Sequence, residues 1–207
     1  FFKKPHVIPA MAFMLFYRLP ETLLQRIISP FMLDPVTKGG LGISTEYLGT
    51  IYGIFGVIGL LAGGIIGGFV VAHGGLKRWL WPMALSITLS CGAFVFLSMV
   101  QPSDFWTINI AVFIEQFGYG FGFTAYMLYL MEFAEGPHKT AHYAFCTGFM
   151  ALGNMLGMVS GWIQESVGYQ SFFLIIMSTC FITFIVTASI KINPFYGKKE
   201  LKQEQGK

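Results

Sequence analysis

Arg18, Glu21, Gln25 and Arg26 stand in the middle of a long apolar run, HVIPAMAFMLFYRLPETLLQRIISPFML (residues 6–33), where greasy side chains would be expected. On a helix advancing 100° per residue, Arg18, Glu21, Thr22, Gln25 and Arg26 fall within an arc of roughly 140°, so they form one polar stripe and not a scatter. A second candidate set lies near the middle of the chain. Glu115, Gly118, Tyr119, Gly122, Tyr126 and Tyr129 fall together within about 100° of one helical face. The expected chemistry is a carboxylate on a shallow wall of hydroxyls, facing two guanidinium groups. Arg18 and Arg26 would attract an anion or hold a carboxylate ionised, and Glu21 would orient Arg18. Glu115 would take up and release a proton, with Tyr119, Tyr126 and Asn154 as neutral hydrogen-bonding groups. Arg18 and Glu21, three residues apart, could instead simply neutralise one another, or either could pair with Glu115; that leaves Arg26 unexplained. A hydrated interior surface shared by all four charges accounts for each of them.

The elements that position these residues follow from composition. The 207 residues are 55% hydrophobic and 11% charged, with a mean hydropathy of +0.64, too apolar for an ordinary soluble domain. Runs of about 20 apolar residues suffice to cross a bilayer core of roughly 30 Å as helices. Six such runs are predicted, near 6–33, 47–72, 79–100, 105–132, 141–164 and 169–190, making residues 1–191 one helical bundle and 192–207 a basic tail. With the spans alternating, Lys3, Lys4, Lys77, Arg78, Lys139, Lys191, Lys198, Lys199, Lys202 and Lys207 fall on one side and Lys38 alone on the other. That asymmetry places both termini in the cytoplasm.

Charges inside a membrane cost on the order of 3 kcal/mol each and persist where they face protein or water. Pro20 adds a bend to the first span. The second and fifth spans are glycine-rich, with Gly59, Gly63 and Gly67, one residue further Gly64 and Gly68, and then Gly153, Gly157 and Gly161 at i, i+4 spacing. Such stripes let neighbouring helices approach closely, for static packing or for sliding. The third and sixth spans are bland. The order charged, glycine-rich, bland therefore occurs twice, a three-plus-three repeat.

Cys91, Cys146 and Cys180 lie singly in apolar spans and read as packing residues. His138 and His142, with Glu135 nearby, have a spacing that could bind a metal, but EGPHKTAH reads as a helix junction at the membrane surface, and no metal or other cofactor is expected. GYGFG (Gly118–Gly122) lies within an apolar span, not between a strand and a helix, so it is no nucleotide loop. No nucleophile, base and orienting group come together, and neither an enzyme nor a nucleic-acid partner is expected. The chain begins Phe-Phe-Lys-Lys and reads as a piece of something longer.

Two polar-first helix triplets resemble one half of a major facilitator superfamily transporter, the C-terminal half by the order of the spans. GGFVVAHGGLKRW (Gly67–Trp79) is similar to that superfamily's cytoplasmic loop motif: Gly68, Gly75, Lys77 and Arg78 fit, while Ala72 and His73 replace the Asp-Arg pair. RLPE (Arg18–Glu21), SPFML (Ser29–Leu33), LGISTEYLGTIYG (Leu41–Gly53), IEQFGYGFGFTAYMLYLM (Ile114–Met131) and the segment from His142 to Ile175 resemble the AmpG-like branch, peptidoglycan-fragment permeases grouped with acetyl-CoA transporters. The resemblance implies an all-α membrane protein of two inverted three-helix repeats. It implies a proton-driven importer of anhydro-muropeptides in a bacterial inner membrane, with the lipid bilayer, a small solute, protons and an N-terminal six-helix half as partners. A second copy of the chain, forming a half-size channel or scaffold, is the alternative.

Overall fold

The computed structural model describes residues 1–198, and the described residues form helices joined by short turns, with no strand among them. The helices are α1 (Val7–Phe16), α2 (Leu19–Leu33), α3 (Thr45–Thr50), α4 (Val57–Gly74), α5 (Leu76–Ser90), α6 (Gly92–Val100), α7 (Phe105–Ala134), α8 (Lys139–Met155) and α9 (Ser160–Ser189). Four continuous runs among them are long and apolar enough to cross a membrane: Val7–Leu33, Thr45–Gly74, Leu76–Val100 and Lys139–Ser189. The last is 51 residues long, about 76 Å at 1.5 Å per residue and twice what a bilayer needs. It is divided at Gly168, whose φ of 78° no continuing helix adopts. α7 spans 30 residues, but Glu115, Gln116, Tyr119 and the glycines around them lower its hydropathy, and it lies between α4, α5 and α8.

Sequence explains the joints. α1 and α2 are separated at Tyr17–Arg18, and Pro20 occupies the first turn of α2, where a missing N–H is tolerated. Carbonyls near this break find side-chain donors instead: Tyr126 donates to Met14 O at 2.7 Å and Thr183 to Tyr17 O at 3.0 Å. Such repair by neighbouring helices is what allows a broken helix at membrane depth. A π-helical turn, Ile51–Gly56, joins α3 to α4. Ser44 caps α3 through Tyr47 N at 3.2 Å, and Asp104 caps α7 through Thr107 N at 2.8 Å.

Glycine fixes how α7 sits. A Cβ on Gly63 would lie 2.2 Å from Phe117 O, and one on Gly120 would lie 2.3 Å from Leu60 O, so α4 and α7 touch backbone to backbone. On the other side of α7, a Cβ on Gly118 would strike Ser90 and one on Gly122 would strike Ile87 of α5. Gly153 and Gly157 bring the α8 run equally close to Leu15 and Thr22. Gly64, Gly68 and Gly161 have nothing within 4 Å.

Two apolar cores result. One gathers Phe13, Met14, Tyr17, Met83, Ala125 and Tyr126; the other gathers Leu24, Ile28, Phe31, Phe94, Val112 and Phe173. At the start of α2 the polar residues Arg18, Glu21 and Thr22 fall between the two cores, and on α7 so does Glu115. The outer surface carries large apolar side chains such as Leu61, Ile65, Phe69, Trp162 and Phe181, a surface suited to lipid. Beyond α9, residues 190–198 fold back on the bundle, with Leu76 N donating to Tyr196 O and Asn193 N donating to Glu132. Lys199, Lys202 and Lys207 of the expected tail lie outside the described residues.

Candidate functional site

The helix break puts Arg18 at the start of α2, where its side chain turns inward to α7 and α8. It is 8% exposed. Its Nη2 donates to the Tyr119 hydroxyl at 2.9 Å and its Nη1 reaches Asn154 Oδ1 at 3.4 Å. The guanidinium carbon stands 4.7 Å from the centre of the Phe123 ring, 5.3 Å from Tyr119 and 6.0 Å from Tyr126. A delocalised, weakly hydrated cation suits such a cage of ring faces.

Glu21, one turn on, is 1% exposed, and Glu115 is fully buried. Neither oxygen of Glu21 has a hydrogen-bond partner. One oxygen of Glu115 accepts from Gln116 Nε2 at 2.9 Å, and the other has no partner. The expected role of Glu21 as the orienting partner of Arg18 is therefore corrected: Tyr119 and Asn154 orient the guanidinium, and Glu21 meets it only through its charge. Glu21 and Glu115 also lie within electrostatic reach of each other. Arg18 thus stands by Glu21, and Glu21 in turn lies near a second buried carboxyl, Glu115; a single proton on either carboxyl makes the three groups neutral together.

The remaining expected residues are placed differently. Gln25 is exposed yet keeps its side chain beside Glu21 and Tyr119, whereas Arg26 is exposed on a separate groove of about 690 Å³ with Asp34, Lys38, Gln164, Glu165 and Tyr169. The four charges therefore do not share one surface, because α2 carries Arg26 out of the interior two turns beyond Arg18. The expected open wall on α7 is also corrected. Gly118 and Gly122 are closed against α5, Tyr126 is fully buried with its hydroxyl given to Met14, and Tyr129 is 3% exposed. Tyr119 alone of those tyrosines keeps a half-exposed position. His138 and His142 meet edge to face with ring centres 6.3 Å apart, and no cluster of three metal-ligating side chains occurs among the described residues. The three cysteines are free and buried.

Tyr52, which the sequence pattern did not single out, has its hydroxyl buried without a hydrogen-bond partner. The signal that could have found it is a phenol six residues inside the glycine-rich second span.

Residues 11–207 match the sequence model of the family described as Major Facilitator Superfamily. Among curated proteins, the chain is 26% identical over 187 residues to "Putative transporter AmpG 1" of Rickettsia felis, covering 90% of this chain and 40% of that protein. It is 29% identical over 183 residues to "Putative transporter AmpG 2" of Rickettsia prowazekii, covering 88% and 43%. An uncharacterised protein of Haemophilus influenzae is 24% identical over 183 residues, covering 84% and 42%. The chain spans about two fifths of the length of these relatives.

Proposed function

The chain belongs to the Major Facilitator Superfamily, and on that premise we propose that it forms the C-terminal half of a proton-coupled transporter for an anionic or polar solute of the muropeptide class. Six spans in two inverted triplets, both termini in the cytoplasm and a bacterial inner membrane are parts of the same reading. The observation that carries it is one caged cation, Arg18, beside the buried carboxyl of Glu21, which lies near the buried carboxyl of Glu115, the two carboxyls having three unpartnered oxygens between them. The set is neutral with one proton and carries a net negative charge without it. A solute whose binding changes with that charge is thereby coupled to proton movement. An N-terminal bundle would complete the cavity beside the half-exposed Tyr119 and Asn154, consistent with the fraction of its relatives that the chain covers. Arg26 would meet the solute on its way in, from the groove that it borders, and Gln25 would meet it beside Glu21 and Tyr119.

The test uses the full natural polypeptide in lipid vesicles, with uptake of a labelled anhydro-muropeptide followed with and without an imposed pH gradient. Accumulation above equilibrium only with the gradient is expected. Equal uptake in both conditions removes proton coupling, and no uptake in either removes the solute class.

A further inference from the structure

At one end of the bundle two lysines border a single groove on the outer surface. α5 begins at Leu76 and α9 ends at Ser189, and the two helices are neighbours, the Cys180 thiol of α9 donating to Thr88 O of α5 at 3.7 Å. Lys77, in the first turn of α5, and Lys191, two residues beyond α9, therefore emerge together and line a groove of about 500 Å³. Both are exposed. Among the described residues no aspartate or glutamate lines this groove; Glu132 and Glu135 border a different one, on the far side of Lys191, and Glu132 there accepts from Asn193 N.

The rest of the lining is mainly apolar, with Leu80 and Trp81 from α5 and Ile190 and Ile192 from the chain after α9. The Trp81 ring is 48% exposed and stacks on Phe184 of α9 with ring centres 6.4 Å apart. Tryptophan so placed, next to lysines at the end of a span, favours the headgroup layer of a bilayer. From Trp81 two exposed apolar stripes run away from the lysines, Leu85 and Leu89 along α5 and Ile185 and Phe181 along α9. A free phosphate would meet the lysines and leave Trp81 and both stripes bare. A lipid with an anionic headgroup uses all of them.

We propose that the groove between α5 and α9 is a binding site for an anionic phospholipid, its headgroup phosphate held by Lys77 and Lys191 and its acyl chains lying along the two stripes. Basic pockets between helices on the cytoplasmic side of a membrane take such headgroups, and the proposed orientation puts both lysines on that side. Bound there, the lipid ties the start of α5 to the end of α9. The site depends on neither the proposed solute nor proton coupling.

Trp81 supplies the reporter for the test. The full natural polypeptide in phosphatidylcholine vesicles is titrated, in physiological salt, with phosphatidylglycerol brominated on its acyl chains, a short-range quencher, and the part of the tryptophan quenching that Trp81→Phe removes is followed. That part should show a preference for phosphatidylglycerol over brominated phosphatidylcholine of roughly 25-fold, about fivefold from each lysine. Lys77→Gln and Lys191→Gln should each lower the preference about fivefold. Arg78→Gln removes the same charge one residue along, on a different groove, and should leave the preference within about twofold, because salt screens charges that do not touch the lipid. An unchanged preference in both lysine variants, or equal losses in all three, overturns the site in favour of diffuse surface charge. If the lysine variants do not reach the vesicles, the natural protein decides: equal affinity for the two lipids overturns the proposal. Excess inorganic phosphate at constant ionic strength should leave the lipid bound, and its full release would assign the groove to free phosphate and overturn the lipid.

Discussion

A guanidinium held by two neutral oxygens and three ring faces differs from one locked to a carboxylate, because its charge is left uncancelled by any direct ion pair, as the proposed transport requires. Lysine cannot replace it, since a compact ammonium can neither fork to Tyr119 and Asn154 nor stack on Phe123. Losing one hydrogen bond to a charged group costs about 1.5–3 kcal/mol. Arg18→Lys should therefore lower uptake about tenfold or more in vesicles without lowering the amount of protein in the membrane; unaltered uptake would show that a bare charge suffices. At this scale the sequence disclosed residue types better than depth. A helical wheel put Arg18 and Arg26 on one stripe, but it has no axis along the membrane normal, so it could not reveal that α2 leaves the interior between them. Tyr52 escaped for a related reason. A π turn breaks the 100° periodicity on which such wheels rest, and its phenol has no charge to draw notice in an apolar span.

Helix by helix, the glycine stripes decide the architecture. The i, i+4 spacing was legible for Gly59, Gly63 and Gly67 and equally for Gly64 and Gly68, and spacing alone cannot say which stripe meets a neighbour. The structure closes the first on α7 and leaves the second open. Gly63→Ala should therefore destabilise the bundle by about 1–3 kcal/mol, because its new methyl meets a carbonyl and not a flexible side chain. Gly64→Ala, one residue away, should stay within about 0.5 kcal/mol of the natural chain. Reversible unfolding in mixed micelles measures both, and equal effects would contradict the close approach of α4 to α7. The glycines of α7 carry a similar lesson. Gly118 and Gly122 share the face of Glu115, which suggested an open wall, but lacking side chains they instead let α5 come close enough to shut it.

At the scale of the molecule, runs of apolar residues were readable because bilayer thickness sets their length, and the break at Gly168 falls where the sequence pattern divided its last two spans. What no run length could convey is that α7, the helix with the acid at its middle, is the one clasped from three sides. The proposed orientation puts Lys38 outside and Lys139 inside. With the natural cysteines buried, Lys38→Cys should react with a membrane-impermeant thiol reagent added to intact cells, and Lys139→Cys only after permeabilisation. The reverse pattern would invert the topology. Coupling is likewise a property of the whole transporter, and the neutral-with-one-proton set makes a sharp claim about it. Glu115→Gln fixes that position in its uncharged form without changing its shape. The most direct measurement compares, in the same vesicles of the full polypeptide, accumulation of labelled anhydro-muropeptide driven by a pH gradient with exchange of that label against unlabelled solute at equal pH. Glu115→Gln should abolish the accumulation and keep a substantial part of the exchange; accumulation at the natural level in that variant would contradict the account.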